Sequence, residues 1–178
     1  MNAPSLIYAT VPQSLPIIIR ALLERDLHGL EWQGGEDLRG FYHDMFHAHQ
    51  AAEIHVLVAD FNDFPIGLAN IHWPGKPTQP GIPDIQSLRV HPIFRGLKIG
   101  SHLLSTCEKL IAERDHGKVG LSVALDNSKA EKLYKRHGYQ RDGLPYCDVW
   151  YYNDARGQAV RVEEDVMDLV KHLSEPEA

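Results

Sequence analysis

Cysteine is scarce in this chain: Cys107 and Cys147 are the only two in 178 residues. Two thiols cannot staple a small secreted scaffold, so a reducing cytosol is the expected setting. Long apolar runs are missing as well. The most apolar early stretch, Leu15–Ile19, is stopped by Arg20, and nothing approaches the ~18 apolar residues of a spanning helix. No cationic segment precedes that stretch, so no targeting leader is expected. Basic excess is absent too: 18 Lys and Arg face 24 Asp and Glu, for a net charge of −6. That balance argues against nucleic acid or an anionic membrane as the partner. Internal repeats and low-complexity segments are also lacking.

What remains is ordinary for a soluble globular protein, with 43% hydrophobic and 24% charged residues. A chain of this size can bury about 70% of its unfolded surface, so its core needs neither disulfide nor metal. One domain over residues 1–178 is the expectation. The Pro- and Gly-rich stretch Pro74–Pro83 would split the chain into two pieces too small for separate cores. It reads better as a long loop over a functional face.

Periodicity supplies the elements. Leu6–Thr10 reads as a short strand. Ser14–His28 carries Leu15, Ile18, Ile19, Leu22, Leu23 and Leu27 at helical spacing, with Gly29 as its stop. A second amphipathic helix is marked by Leu38, Phe41, Tyr42, Met45 and Phe46 and runs to about Gln50. Ile54–Asp60 and Ile66–Trp73 read as strands joined through Asn62-Asp63 as a hairpin. Asp84–His91 is a strand ended by Pro92, and Ser101–His116 a helix stopped by Gly117. Val119–Leu125 is a buried strand, Asn127–His137 a helix ending at Gly138, and Asp148–Asn153 a further strand. Val166, Leu169, Val170 and Leu173 fit a helix by spacing alone. The outline is an α/β (α+β) chain with a mixed sheet and helices on both faces.

The informative segment is Leu88–Gly100, LRVHPIFRGLKIG. A strand stops at a proline, and a short loop with Arg95-Gly96 opens directly into a helix. The first turn of a helix carries backbone N–H groups without intrahelical partners and the positive end of the macrodipole. Gly96 and Gly100 let backbone approach a bulky anion, and Arg95 and Lys98 add cationic donors. A diphosphate suits such a cradle. A plain helix start with basic residues facing water is the alternative. Neither a mononucleotide P-loop nor a dinucleotide-binding G-x-G-x-x-G is present.

A second motif follows the next strand: Asn127-Ser128-Lys129-Ala130-Glu131-Lys132-Leu133-Tyr134, then His137-Gly138-Tyr139. Together the two stretches resemble the GNAT superfamily of acyl-CoA-dependent N-acetyltransferases. Arg95–Gly100 matches that family's [QR]-x-x-G-x-[GA] loop except that Lys98 stands where glycine is usual, which alters the backbone angles open to the loop. Asn127–Tyr139 matches N-x-x-A-x-x-L-Y-x-x-x-G-[FY] throughout. The resemblance is carried by residues 84–139, and the element order agrees elsewhere.

The resemblance implies a mostly antiparallel central sheet with helices on both faces, and acetyl-CoA as cosubstrate without a metal. It implies that the pantetheine arm pairs with backbone at Leu88 and Val90, as an added strand does. The Val90 amide then polarises the thioester carbonyl. The diphosphate rests on Arg95, Gly96, Leu97, Lys98, Ile99, Gly100 and Ser101. Asn127 either contacts the pantetheine or caps its own helix. Tyr134 protonates the departing thiolate, or is an ordinary helix tyrosine beside Leu133. Asp84, six positions before Val90, matches the place of a general base in the histone-acetylating branch; otherwise it only follows Pro83 in a turn. Strand alternation puts Asp84, Gln86, Leu88 and Val90 on one face. The final segment, Val166–Leu173, becomes a closing strand against its local periodicity.

Other constellations compete for function. His43 and His47 share a helix face in an H-D-x-x-H pattern that suits zinc, as in a metal hydrolase, but a third ligand with suitable spacing is missing; the resemblance implies that they line the acceptor pocket instead. Trp73, Tyr146, Trp150 and Tyr151 wall an acceptor cleft or belong to the core. Cys107 sits on an apolar helix face as a small buried residue. The expectation is an acetyl transfer from acetyl-CoA to a primary amine, small-molecule or peptide, in a ternary complex. A second copy of the chain is a candidate partner. The rival is a catalytically silent acyl-CoA-binding sensor or scaffold of the same fold.

Overall fold

The computed structural model describes residues 16–173; the strand expected at Leu6–Thr10 lies outside them. Where a helix is expected over Ser14–His28, the described part is a strand, β1 (Ile17–Ala21), followed by short 3-10 turns between Glu24 and Leu38. Three consecutive isoleucines explain the reversal. β-branched side chains fit a pleated surface better than a helix, and β1 pairs antiparallel along Leu57–Phe61. Its Arg20 holds the turns in place, bonding Asp26 at 2.7 Å and also reaching Asp60.

The rest follows the sequence pattern closely. Helix α1 (Arg39–Gln50) leads into strands β2 (Ile54–Phe61) and β3 (Phe64–His72). Asn62 and Asp63 both adopt positive φ, as a two-residue hairpin turn requires. Residues 74–83 hold a small separate hairpin of β4 (Gly75–Lys76) and β5 (Gln79–Pro80), where a plain loop is expected. Strand β6 (Asp84–Val90) leads to helix α2 (Ile99–Ala112), then strand β7 (Lys118–Ala124) and helix α3 (Ser128–Arg136). The left-handed residue after α2 is Asp115 rather than Gly117. Strands β8 (Gln140–Arg141), β9 (Tyr146–Asn153) and β10 (Ala159–His172) complete the chain.

The ambiguous last segment is therefore strand. Val166–Leu169 are all buried, with β7 and β8 both pairing this stretch of β10. A strand covered on both faces loses the polar alternation that would have announced it.

The sheet order is β1-β2-β3-β6-β7-β10-β8, with β9 on β10, and every pairing is antiparallel except β6 with β7. Two apolar clusters cover its faces. One holds Leu103, Leu104, Cys107 and Ile111 of α2 against Ile71, Ile85 and Leu121. The other holds Tyr42, Met45 and Phe46 of α1 against Val56, Val58 and Leu68. Helices thus lie on both faces, as expected. Among the described residues, no helix is long and apolar enough to cross a membrane.

Candidate active site

The decisive feature is a failure of pairing. β6 and β7 run parallel and meet only at Asp84 and Gly120, where the Gly120 N–H donates to the Pro83 carbonyl at 2.9 Å. Beyond that point they diverge, leaving one edge of β6 without a neighbour. On the other edge Val90 lies opposite Gly67, and the next amide, His91, donates to Ile66 at 2.8 Å. Successive backbone groups of a strand point to opposite edges, so the Val90 N–H faces the gap. Its carbonyl faces the same way, where Arg95 Nε donates to it at 3.1 Å.

One expectation about β6 fails. Ser87 adopts φ +54 and inserts an extra residue, so the register on β3 slips between Leu68 and Asn70. Such a bulge reverses the parity of a strand. Asp84 and Gln86 share a face with Asn70 and His72, whereas Leu88 and Val90 pack with the α2 cluster. Asp84, Gln86, Leu88 and Val90 are therefore not on one face. The break comes from backbone curvature, which no residue in LRVH announces.

The loop after β6 ends in the left-handed region at Lys98, φ +62, immediately before α2. Lys98 thus takes the conformation that glycine adopts freely, and keeps its cation there. The first amide to donate along α2 is that of His102, to Lys98, so the N–H groups of Ile99, Gly100 and Ser101 have no intrahelical acceptor. A Cβ at Gly96 would meet nothing within 4 Å, and at Gly100 only side chains at 3.7 Å or beyond. The helix end is therefore uncrowded, and its donor set suits a diphosphate.

Asp84, Leu88, Val90, Arg95, Asn127 and Tyr134 all border one cavity of about 1440 Å³. Gly96, Leu97, Lys98, Ile99, Gly100 and Ser101 lie outside that lining, on the loop and helix start that continue from Arg95. Asn127 Oδ1 accepts from the Ala130 N–H at 3.1 Å, so the capping role is real, and its amide nitrogen is left for a ligand. Tyr134 serves both readings. Its ring meets Tyr139 edge-on at 5.9 Å within the core, and it also borders the cavity. Burial, reinforced by the Asp84 charge, pushes its hydroxyl up to about 12. It is a protonated donor at neutral pH.

Asp84 is no turn residue: it opens β6 and is 2% exposed. Gln86 Nε2 donates to its Oδ2 at 2.9 Å, and the Lys76 ammonium stands 3.2 Å from its Oδ1. The same ammonium is 2.7 Å from Asp168 Oδ1 and donates to Ser122 Oγ at 2.6 Å. Ser122 and Tyr146 donate to Asp168 Oδ1 at 2.9 and 3.0 Å. Burial works to raise the Asp168 carboxyl, but Lys76, Thr78 and Ser122 outweigh it and hold the group below its ordinary value. Burial likewise pushes the His72 imidazole down, against the opposing pull of Asp84.

Sequence reasoning missed Lys76 and Asp168. Asp168 left a signal, a carboxylate inside the apolar run Val166–Val170. Lys76 left none. Beyond them, Phe41, Tyr146, Trp150, Tyr151 and Tyr152 wall the cavity. Trp73 does not; it stacks on His116, with Arg114 3.8 Å from the ring centre. His43 and His47 are exposed on α1 and do not border the cavity. Among the described residues, no three His, Cys, Asp or Glu side chains are grouped to hold a metal. Cys107 is fully buried, which pushes its thiol up to about 12.

Comparison with known proteins places this geometry. The family model described as Acetyltransferase (GNAT) family matches residues 19–139. A candidate ribosomal protein bS18-alanine N-acetyltransferase of Bacillus subtilis (strain 168) is 28% identical over 104 residues. That match spans 58% of this chain and 64% of the relative's length. The crystal structure of a ribosomal-protein-alanine N-acetyltransferase from Brucella melitensis superposes with a TM-score of 0.66 at 20% identity, over 88% of this chain and 99% of that one. The candidate acetyltransferase yncA of Salmonella typhimurium, solved with its cofactor acetyl-CoA, gives 0.63 at 16% identity, over 91% and 96%.

Proposed function

The chain belongs to the GNAT family of acetyltransferases, and from that premise we propose that it moves the acetyl group of acetyl-CoA to a primary amine by direct attack in a ternary complex. The observation that carries the reading is the gap between β6 and β7, with the Val90 N–H facing it and the open end of α2 beside it.

In this scheme the amides of Ile99, Gly100 and Ser101 hold the diphosphate, with Arg95 and Lys98 adding charge. Backbone at Leu88 and Val90 pairs with the pantetheine arm in place of a missing strand. The Val90 N–H donates to the thioester oxygen and strengthens that bond as the oxygen becomes an oxyanion. Asp84 takes the proton of the arriving ammonium, through water where the span requires it, so that the free amine attacks the acetyl carbon. The C–S bond breaks, Tyr134 gives its proton to the departing thiolate, and the second proton of the attacking nitrogen passes to the tyrosinate as the amide forms, while Asp84 releases its proton to solvent. The names of the relatives point to an amino-terminal alanine of a protein as one acceptor to assay. The two thiols found free, Cys107 buried and Cys147 exposed, suit a reducing cytoplasm.

Calorimetry with acetyl-CoA, followed by amine-dependent thiol release, tests the reading. Binding heat together with release is the expected result. Binding without release across an acceptor panel would mark a sensor, and absence of heat would remove the assignment altogether.

A further inference from the structure

The hairpin of β4 and β5 is not hydrogen-bonded into the main sheet. Gly75 and Gly81 flank it with φ +78 and +77, and the Gly81 N–H closes its base on the Pro74 carbonyl at 2.8 Å. Three side chains fasten it, Thr78 hydrogen-bonding Asp168 and Lys76 and Gln79 doing more. Gln79 donates to Asp142 Oδ2 at 2.8 Å, and Lys76 reaches Asp84, Asp168 and Ser122.

These fastenings are incomplete. Gln79 Oε1 and Asp84 Oδ1 are both buried, and among the described residues neither accepts a hydrogen bond; Asp84 Oδ1 has only the charge of the ammonium 3.2 Å away. Buried acceptors left in this state cost free energy. The balance of charge is uneven as well, with two buried carboxylates against one ammonium. Asn70, on the same face as Asp84 and bordering the same cavity, also has its Oδ1 buried without a donor. A ligand for Asp84 Oδ1 and Asn70 Oδ1 must therefore bring N–H groups and positive charge. A primary ammonium brings three donors and no acceptor.

Lys76 is itself a primary ammonium on an unbranched alkyl stem, the group that an amine acceptor presents. It lies against Asp84, whose charge reaches Tyr134. We propose that Asp84 and Asp168 form the subsite for the acceptor's ammonium, and that Lys76 occupies it in the free protein as a tethered stand-in which the acceptor displaces with its hairpin. This rests on the acetyl-transfer reading above. It assigns a binding role to Asp168, with Tyr146 and Ser122 aiming its carboxylate, and makes Gly75–Pro80 a displaceable plug. The acceptor it selects is a primary alkylammonium whose stem lies along the aromatic wall of Phe41, Trp150 and Tyr152, since cations and alkyl chains both pack well on such rings.

Lys76→Met keeps the stem and removes the charge. With n-butylamine as acceptor, its kcat/KM is expected to rise at least tenfold over the unaltered chain, with the acetyl-CoA Kd unmoved. Adding Asp168→Asn to Lys76→Met should return at least tenfold of that gain as a higher acceptor KM. A lysine that merely anchors the loop predicts the reverse, and an unchanged or lower kcat/KM in Lys76→Met overturns the plug. Hydrogen exchange of the unaltered chain needs no variant to fold. In 100 mM n-butylamine the amides of Gly75, Lys76, Thr78 and Gln79 should exchange faster; unchanged or slower exchange overturns the proposal. Acetyl-CoA calorimetry on the same samples separates the two failures. Absence of heat removes the transferase reading, whereas heat with a motionless hairpin removes only the plug.

Discussion

The two ends of the cleft are built by opposite means. At the proposed donor end, a contiguous segment from Leu88 to Ser101 supplies backbone: a strand edge, a left-handed turn at Lys98 and the first amides of α2. At the proposed acceptor end, side chains arrive from distant places, with Lys76 from the small hairpin, Asp84 from β6, Ser122 from β7 and Tyr146 from β9 bordering the cavity, and Asp168 from β10 behind Lys76, outside that lining. The first end is partly exposed and offers main-chain donors. The second is buried and read by charge. A site made of main chain tolerates substitution as long as the path of the backbone survives. In a buried charged site, removing one partner strands the others at a cost in stability.

That contrast can be broken, beginning with the largest expected effect. Tyr134→Phe should lower kcat by about 10²–10⁴-fold, the ordinary share of a general acid, while calorimetry shows acetyl-CoA affinity little changed. Equal turnover in the variant would leave Tyr134 a packing residue. Asp84→Asn should cost about 10²-fold in kcat/KM and remove the ascending limb of the pH–rate profile; a variant that keeps the limb has its base elsewhere.

Alkaline stability is a third test. The Tyr134 hydroxyl moves from 10.0 to about 12 on folding. A group whose folded value is raised contributes stability that is complete below its unfolded value and lost as pH climbs through the folded one. Stability should therefore fall between pH 10 and 12, by about 3 kcal/mol from this group. Melting curves of Tyr134→Phe should lack that part of the decline.

Smaller effects belong to the donor end. Asn127→Ala removes the cap on α3 and should cost about 1 kcal/mol, read as a drop in Tm, with Asn127→Ser recovering most of it. Lys98→Gly relieves a left-handed lysine and should gain up to about 1 kcal/mol, while weakening acetyl-CoA binding only through the lost charge. A loss of stability in Lys98→Gly would show that the lysine side chain, not the turn, holds that loop.

Legibility divided along the same line. The hairpin at Asn62-Asp63, α1, α3 and the loop into α2 were readable because each is specified by neighbours in the chain: turn residues with positive φ, a 3.6-residue apolar period, a cap three residues from its amide. β1 was misread because helical spacing and β-branching conflict in Ile17–Ile19, and pairing with β2 settled the matter. The parity of β6 was misread because the bulge at Ser87 exists only in its register with β3. Asp168 was visible as an acid in an apolar strand yet lacked a partner, since Lys76 lies 92 positions away in a stretch of prolines and glycines.

The amino-acid order by itself determined the family and the loop that opens into α2, because a turn that meets a helix start is a local object whose backbone donors follow from a few consecutive residues. Tertiary structure alone decided the acceptor end. Which carboxylates meet which ammonium depends on how strands far apart in the chain come to lie side by side, and no local preference of Lys76 or Asp168 encodes that meeting.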